Sequence, residues 1–537
     1  MKTNGWIKAG ILFLCVVALV QSLVADERIV LVNANTLRAD PEMAPGAQML
    51  SGQVHLTHAG MQMYCDSAVI FDVTNSCMAR GHVKIVQGDT LTLTGDSLYY
   101  NGFSQMAEMR RNVVMTHRSQ VLHTDNLNYD RTTSRGYFFD GGKLVDGKNE
   151  LTANFGEYFT NTREAHFNDL VELNGPDYKL VSDTLNYDVK TKWSHVIGPS
   201  NVYSGDNRIY TEDGYYNSDL KQSRLYGRSQ LFNKNRKLVA DSMHYDKKTG
   251  MSHGYGHMLY EDKDNKNILV GNYGYYKETT GEAMATDMAL GKDYSQSDDT
   301  LFVHADTLRL FSFNMKTDSL YRKIHAYPHV RAFRNDMQAV CDSLVFQSNT
   351  RIMTLYKDPI LWNDERQILG EEINAFFNDS TLDSIYVERQ ALLVEKKDST
   401  LYDQTAGNLM KVYYKDGELR ACDVDGNVIV VYYPIEEDST IVYQTYGEFA
   451  KLKTNIEKRK IKRMWAGPNP SGYYYVIGMA PHEHCFLGNF AWFDYIRPVD
   501  PDDVFNWRPK KDSEKLKWVP RREAPMQRLN NKISKKQ

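Results

Sequence analysis

Apolar and polar residues alternate along most of this chain in short runs, and the runs return at a nearly constant interval. In the stretch DTLNYD, residues 183–188, Leu185 and Tyr187 stand two apart, so in a strand they leave one face while Asn186 leaves the other. Leu98 and Tyr100, Leu127 and Tyr129, Met243 and Tyr245, and Leu344 and Phe346 keep the same parity. Related segments begin at Asn35, Asp66, Asp96, Asp125, Asn154, Asp183, Asp213, Asp241, Asn272, Asp306, Asp342, Glu372 and, more weakly, Asn408. The first eight steps are 28 to 31 residues long; later ones reach 36, where polar insertions such as GKDYSQSDD from Gly291 enter.

A second landmark falls about fifteen residues after the first, as in GQVHL at Gly52, GHVKI at Gly81, RNVVM at Arg111 and GHMLY at Gly256. Each reads as a turn followed by an alternating strand. The leading Asp or Asn of the first landmark likewise suits a turn, where its short side chain bonds nearby amides before a strand begins. Helical spacing of apolar residues is not sustained between copies, so the body is expected to be all-β. A unit of about 30 residues cannot bury its own apolar face, whereas stacked units bury a continuous one.

Composition narrows the function classes. The 64 basic and 68 acidic side chains nearly balance, which excludes a polybasic nucleic-acid binder, and 35 tyrosines supply ample core material. Lys2 and Lys8, the apolar run 9–20, then Gln21, Ser22 and Ala25 form a secretory-signal layout over residues 1–25. The alternative is an uncleaved anchor, since residues 6–24 approach the roughly 20 that a membrane helix needs. Cys65, Cys77, Cys341, Cys422 and Cys485 are too few and too scattered for a disulfide scaffold, and read as small strand residues. No nucleophile elbow, phosphate loop or dinucleotide fingerprint is found, so neither a catalytic residue nor a cofactor is expected. His482, His484 and Cys485 match no standard zinc spacing and read as a polar loop, so no metal is expected either.

The segment GHVKIVQGDTLTLTGDSLYY, residues 81–100, pairs a Gly-x-Val strand with a downstream Asp-Ser-Leu-x-Tyr strand. With the leader and the repetition, it resembles the OstA-like, LptA-type family of lipopolysaccharide-transport proteins, from about Asn35 to at least Gly426. The resemblance implies an elongated, repetitive β-jellyroll: a V-shaped double-sheet solenoid whose apolar groove holds lipid acyl chains. It implies a periplasmic binding and transport role without enzymatic activity, with lipopolysaccharide as ligand and other jellyroll proteins of the transport bridge as end-to-end partners. The ten paired residues named above, Leu98, Tyr100, Leu127, Tyr129, Leu185, Tyr187, Met243, Tyr245, Leu344 and Phe346, then become the expected groove lining.

Domain organisation follows. Residues 26–450 carry the repeats, a length that two or three family modules would fill; residues 451–507 form an aromatic and basic C-terminal cap; residues 508–537 form a basic tail. That tail reads as a solvated, disordered segment, with contact to an anionic membrane surface as the functional alternative. Two rivals to the transport reading stand: a structural or adhesive solenoid with a filled, dry core, and an enzyme acting on polysaccharide. Small inward residues and splayed sheets would favour a groove; tightly packed Leu and Tyr ladders would favour a filled core.

Overall fold

The computed structural model describes residues 28–39, 46–295, 299–315, 317–378, 381–415, 417–436, 440–457 and 460–516. The expected leader, and residues 517–537 of the tail expected at 508–537, lie outside the described residues, while Lys510 and the Leu516 amide donate to Asp358. The described chain is nearly all strand, paired antiparallel, and divides into two compact units between Lys234 and Asn235. The all-β, repetitive jellyroll expected from the sequence is what is observed.

In the first unit, successive hairpins are built from strands of 11 and 12 residues, such as Ser76–Gln87, Leu91–Asn101, Met106–His117 and Gln120–Asp130. Every other residue is buried, as period-2 alternation requires. Near the middle of each pairing one strand carries an extra residue: the register slips between Arg80 and Val83, between Thr94 and Ser97, and between Arg110 and Val113. Such bulges bend a strand. Each strand therefore crosses from one sheet to another, and the ladder folds into two arms that meet at a corner. One arm holds the Leu-x-Tyr segments and the other the Gly-x-Val segments; they are called here the tyrosine arm and the valine arm.

This corner corrects the sequence reading, which places turns at both landmarks. Asp66, Asp96 and Asp183 lie inside the strands Met61–Phe71, Leu91–Asn101 and Lys179–Asp188, and Gly81 lies inside Ser76–Gln87. A bulge makes the same demands as a turn, namely positive φ and a short polar side chain to bond the displaced backbone. Gly81 has φ of 76°, and a Cβ there would fall 2.3 Å from the Asp66 carboxylate. The next residue, His82, places Nδ1 2.8 Å from the same carboxylate; His257 with Asp241 and His329 with Asp306 repeat the pair at 2.6 and 2.8 Å. The two landmarks are thus the two halves of one corner clasp.

The second unit opens on the short strands Arg236–Val239 and Ser242–Asp246, continues with the long Met251–Asp262 and Asn267–Lys277, and then breaks at the corner into separate short ones. Its valine arm contains Leu290–Asp293, Leu301–His304, Val330–Arg334, Met337–Cys341, Ile360–Asn363 and Arg366–Leu369. Its tyrosine arm contains Glu282–Thr286, Thr307–Phe313, Tyr321–Tyr327, Ser343–Gln347, Ile352–Tyr356 and Glu372–Phe377. Long strands return from Leu382–Lys396 and continue through Tyr443–Glu457, whose two halves pair with Lys460–Gly467 and Ser471–Val476. Residues 480–516, which hold short helical turns, lie against the outer face of the valine arm as a strap.

Candidate functional site

The interior of the first unit is filled. Along the tyrosine arm, large and small residues alternate from strand to strand: Tyr100 faces Ala107, which faces Tyr129, and Gly136, Tyr158, Ala165 and Tyr187 continue the row. Tyr100, Tyr129, Tyr158 and Tyr187 are at most 1 % exposed. A small neighbour on each side gives every ring its space, so the rings pack with almost no exposed surface.

Three of the hydroxyls reach across to the valine arm. The Tyr100 hydroxyl lies 2.8 Å from His58 Nδ1, that of Tyr158 2.9 Å from His117 Nδ1, and that of Tyr187 donates to Asp146 Oδ2 at 2.7 Å. Burial pushes the Tyr158 hydroxyl up to about 12 and raises that of Tyr187 further, with the Asp146 carboxylate adding to it, so both stay protonated as donors. Cations from hairpin turns of the tyrosine arm close the seam outside them. Arg131 donates to the Tyr100 hydroxyl at 3.0 Å and to the Ala59 carbonyl at 3.0 Å. Lys192 pairs with Asp146, and Lys221 donates to Asp177 at 2.7 Å.

The second unit keeps the parity and changes the residues. Four positions after the landmark, where unit one has Tyr100, Tyr129, Tyr158 and Tyr187, unit two has Tyr245 and Tyr276, then Leu310 and Phe346. Neither Leu310 nor Phe346 carries a hydroxyl to bridge the arms. Opposite them the valine arm offers Gly291, whose missing side chain would point at Leu308 across the gap, its Cβ 3.6 Å from Leu308 Cδ1. Between the arms lies a cavity of about 380 Å³, partly open to solvent. Leu269, Leu301 and Val303 line it from the valine arm; Leu308, Leu310 and Ile324 line it from the tyrosine arm. Charged side chains line it as well, among them Lys292, Arg309 and Arg334, and Asp262, itself 3 % exposed, sits between Arg236 at 3.2 Å and Arg322 at 3.7 Å.

Of the ten expected lining residues, Leu344 and Phe346 line this cavity. Met243 is buried and Tyr245 half-buried in unit two, and neither is among the lining residues. Leu98, Tyr100, Leu127, Tyr129, Leu185 and Tyr187 sit in the packed interior of unit one. Leu308 and Leu310 were not singled out by the sequence reading, although DTLRLF at Asp306 gives them the parity of Leu98 and Tyr100. The signal was the loss of the tyrosine.

The outer face of the unit-two valine arm carries a second set of buried polar groups. Gln367 donates to the Ala491 carbonyl and accepts from the Phe493 amide, both at 2.8 Å; Gln404 does the same with Cys485 and Leu487, both at 2.9 Å. Gln444 donates to the His484 carbonyl, and Arg497 donates to Gln338 at 2.8 Å. Each glutamine thus serves the strap as a neighbouring strand's amide would. The histidines at 482 and 484 belong to this packing: His484 stacks on Tyr446 at 3.8 Å and its Nδ1 lies 2.9 Å from the Tyr475 hydroxyl. Cys65, Cys77, Cys341 and Cys422 are buried free thiols, and burial pushes Cys65 up to about 11 and Cys77 up to about 12.

Among the described residues no helix is long and apolar enough to cross a membrane. No curated protein matches the chain. A family does: residues 26–183 match the sequence model of the family described as OstA-like protein, a stretch that includes the Gly81 and Asp96 repeat. The match supports a function of the lipopolysaccharide-transport kind, binding and carrying. Over residues 26–183 the chain is thus similar to the OstA-like family, and the resemblance carried by the Gly-x-Val and Leu-x-Tyr strands is supported for that stretch.

Proposed function

We propose that this protein binds the acyl part of lipopolysaccharide in the unit-two cavity and takes part in carrying it through the periplasm to the outer membrane. The observation that carries the reading is the cavity itself, which Leu310 and Phe346 line from the position that Tyr100, Tyr158 and Tyr187 hold in unit one. Its 380 Å³ fall in the range of about 300–1,000 Å³ of sites that enclose small organic ligands. Each methylene withdrawn from water gains about 0.8 kcal/mol, and association itself costs about 4 kcal/mol or more. Holding about eight methylenes would therefore leave roughly 2 kcal/mol, which is weak and reversible, as suits a carrier. The charged lining residues Arg236, Asp262 and Arg322 offer partners to a polar headgroup while the chains are covered. The outer edges of Lys460–Gly467 and Ser471–Val476, which pair with no further strand among the described residues, suit main-chain pairing with another jellyroll protein.

A lipid-free structural role fits the first unit by itself, because its tyrosine row is packed and bridged. Photo-crosslinking in cells separates the two. Benzoylphenylalanine at Leu310 or Phe346 is expected to capture lipopolysaccharide, and at Tyr129 or Tyr187 to capture none. Capture at none of the four positions would refute lipid carriage, and capture only at Tyr129 or Tyr187 would move the site to unit one.

A further inference from the structure

The wall of the cavity has two faces, and the strap holds the outer one. Leu301–His304 and Val330–Arg334 turn Leu301, Val303 and Arg334 toward the cavity. The other face of the same wall carries Leu290, Phe302 and Phe333, which pack on Val504 and Phe505 of the strap. Arg331, fully buried on that outer face, anchors the contact: it donates to the Ile496 carbonyl at 2.8 Å and to Asp503 Oδ2 at 3.1 Å. His304 adds a ring contact to Phe505 at 4.7 Å.

These wall strands are only four and five residues long, and strands so short are not stable by themselves. On the inner side Leu301, Val303 and Arg334 front the cavity, which forfeits dispersion contacts there. Their position must then be set from the side that is packed. We infer that the C-terminal strap fixes the width of the cavity, with Val504 and Phe505 as positioning residues that determine how long or bulky an apolar chain it accepts without touching that chain. The inference rests on the acyl-binding reading for its ligand, and on the packing alone for its mechanics.

Phe505→Ala, and Val504→Ala with Phe505→Ala, test it in the full-length protein, with circular dichroism to confirm folding. Phe505 is half-buried, so the single variant carries the test if the double one does not fold. Two measurements are made: amide hydrogen exchange, and displacement of a fluorescent fatty acid by a homologous series of saturated fatty acids. The expected result is exchange about tenfold or more faster in residues 301–304 and 330–334, with residues 321–327 of the opposite arm unchanged. The preferred chain is also expected to shift to a longer or bulkier one. Unchanged exchange in the wall, or equal acceleration in both arms, would overturn the inference, as would an unaltered chain preference in a loosened wall. If the wild-type protein displaces no fatty acid at all, the acyl reading falls, and the exchange result still decides whether the strap holds the wall.

Discussion

Bridging tyrosine hydroxyls mark the interior of the first unit, and Leu310 and Phe346 lack them at the cavity of the second. In the first unit the Tyr187 hydroxyl donates to Asp146, which also accepts from Lys192 and from Gln120 at 3.1 Å. Burial of Asp146 raises its carboxyl, and the hydrogen bonds from Lys192, Tyr187 and Gln120 outweigh that, leaving it below its ordinary value of 3.8. A depressed carboxyl contributes stability that is present above its unfolded value and is lost as pH falls through the folded one. Tyr187→Phe is therefore expected to cost about 1–3 kcal/mol at neutral pH, as loss of a hydrogen bond to a charged group does. The gap between variant and wild type should narrow below about pH 4. Denaturant unfolding at the two pH values checks it, and a gap that widens on acidification would contradict the assignment. The parity of these residues was legible in the sequence because a two-residue period admits one arrangement of faces. Whether Leu98 or Leu310 fronts empty space was not, because volume depends on both arms and the sequence pattern describes one at a time.

At the scale of the element, the corner clasp makes opposite predictions for two equivalent positions. Gly81 has φ of 76° and its missing Cβ would meet Asp66, whereas Arg111 occupies the same place in the next repeat with φ of 62° and an exposed side chain. Gly81→Val is expected to destabilise by about 1–3 kcal/mol through backbone strain and the clash with Asp66. Arg111→Gly relieves strain at some cost in chain entropy, and is expected to change stability by less than about 1 kcal/mol. Thermal unfolding of the two variants decides, and equal effects would remove the clasp as the origin of the repeat. The period itself was plain in the sequence. Its meaning was misread because Asp, Asn and Gly serve a turn and a bulge for the same conformational reasons. The strap was hidden for a different reason: Gln338, Gln367, Gln404 and Gln444 are single glutamines within ordinary strands, and nothing local shows that their partners lie between 484 and 497.

For the whole molecule, the repeats share one pattern and differ in content. The family match covers residues 26–183, within the filled unit, while the cavity lies entirely beyond residue 235. The part most recognisable in sequence is thus the part whose interior is bridged by tyrosine, and the proposed lipid site belongs to repeats that have diverged from it. Leu310→Tyr tests this directly, because it restores at the cavity the residue that fills the first unit. A well-packed interior accepts such added volume poorly, at about 1–3 kcal/mol, whereas an empty cavity admits it. Measured by displacement of a fluorescent fatty acid with lipopolysaccharide, the wild-type protein is expected to bind, and the folded Leu310→Tyr protein to bind at least about tenfold more weakly, the equivalent of about 1.4 kcal/mol. Equal binding by the two proteins would contradict the central claim that acyl chains occupy the space between the arms of the second unit.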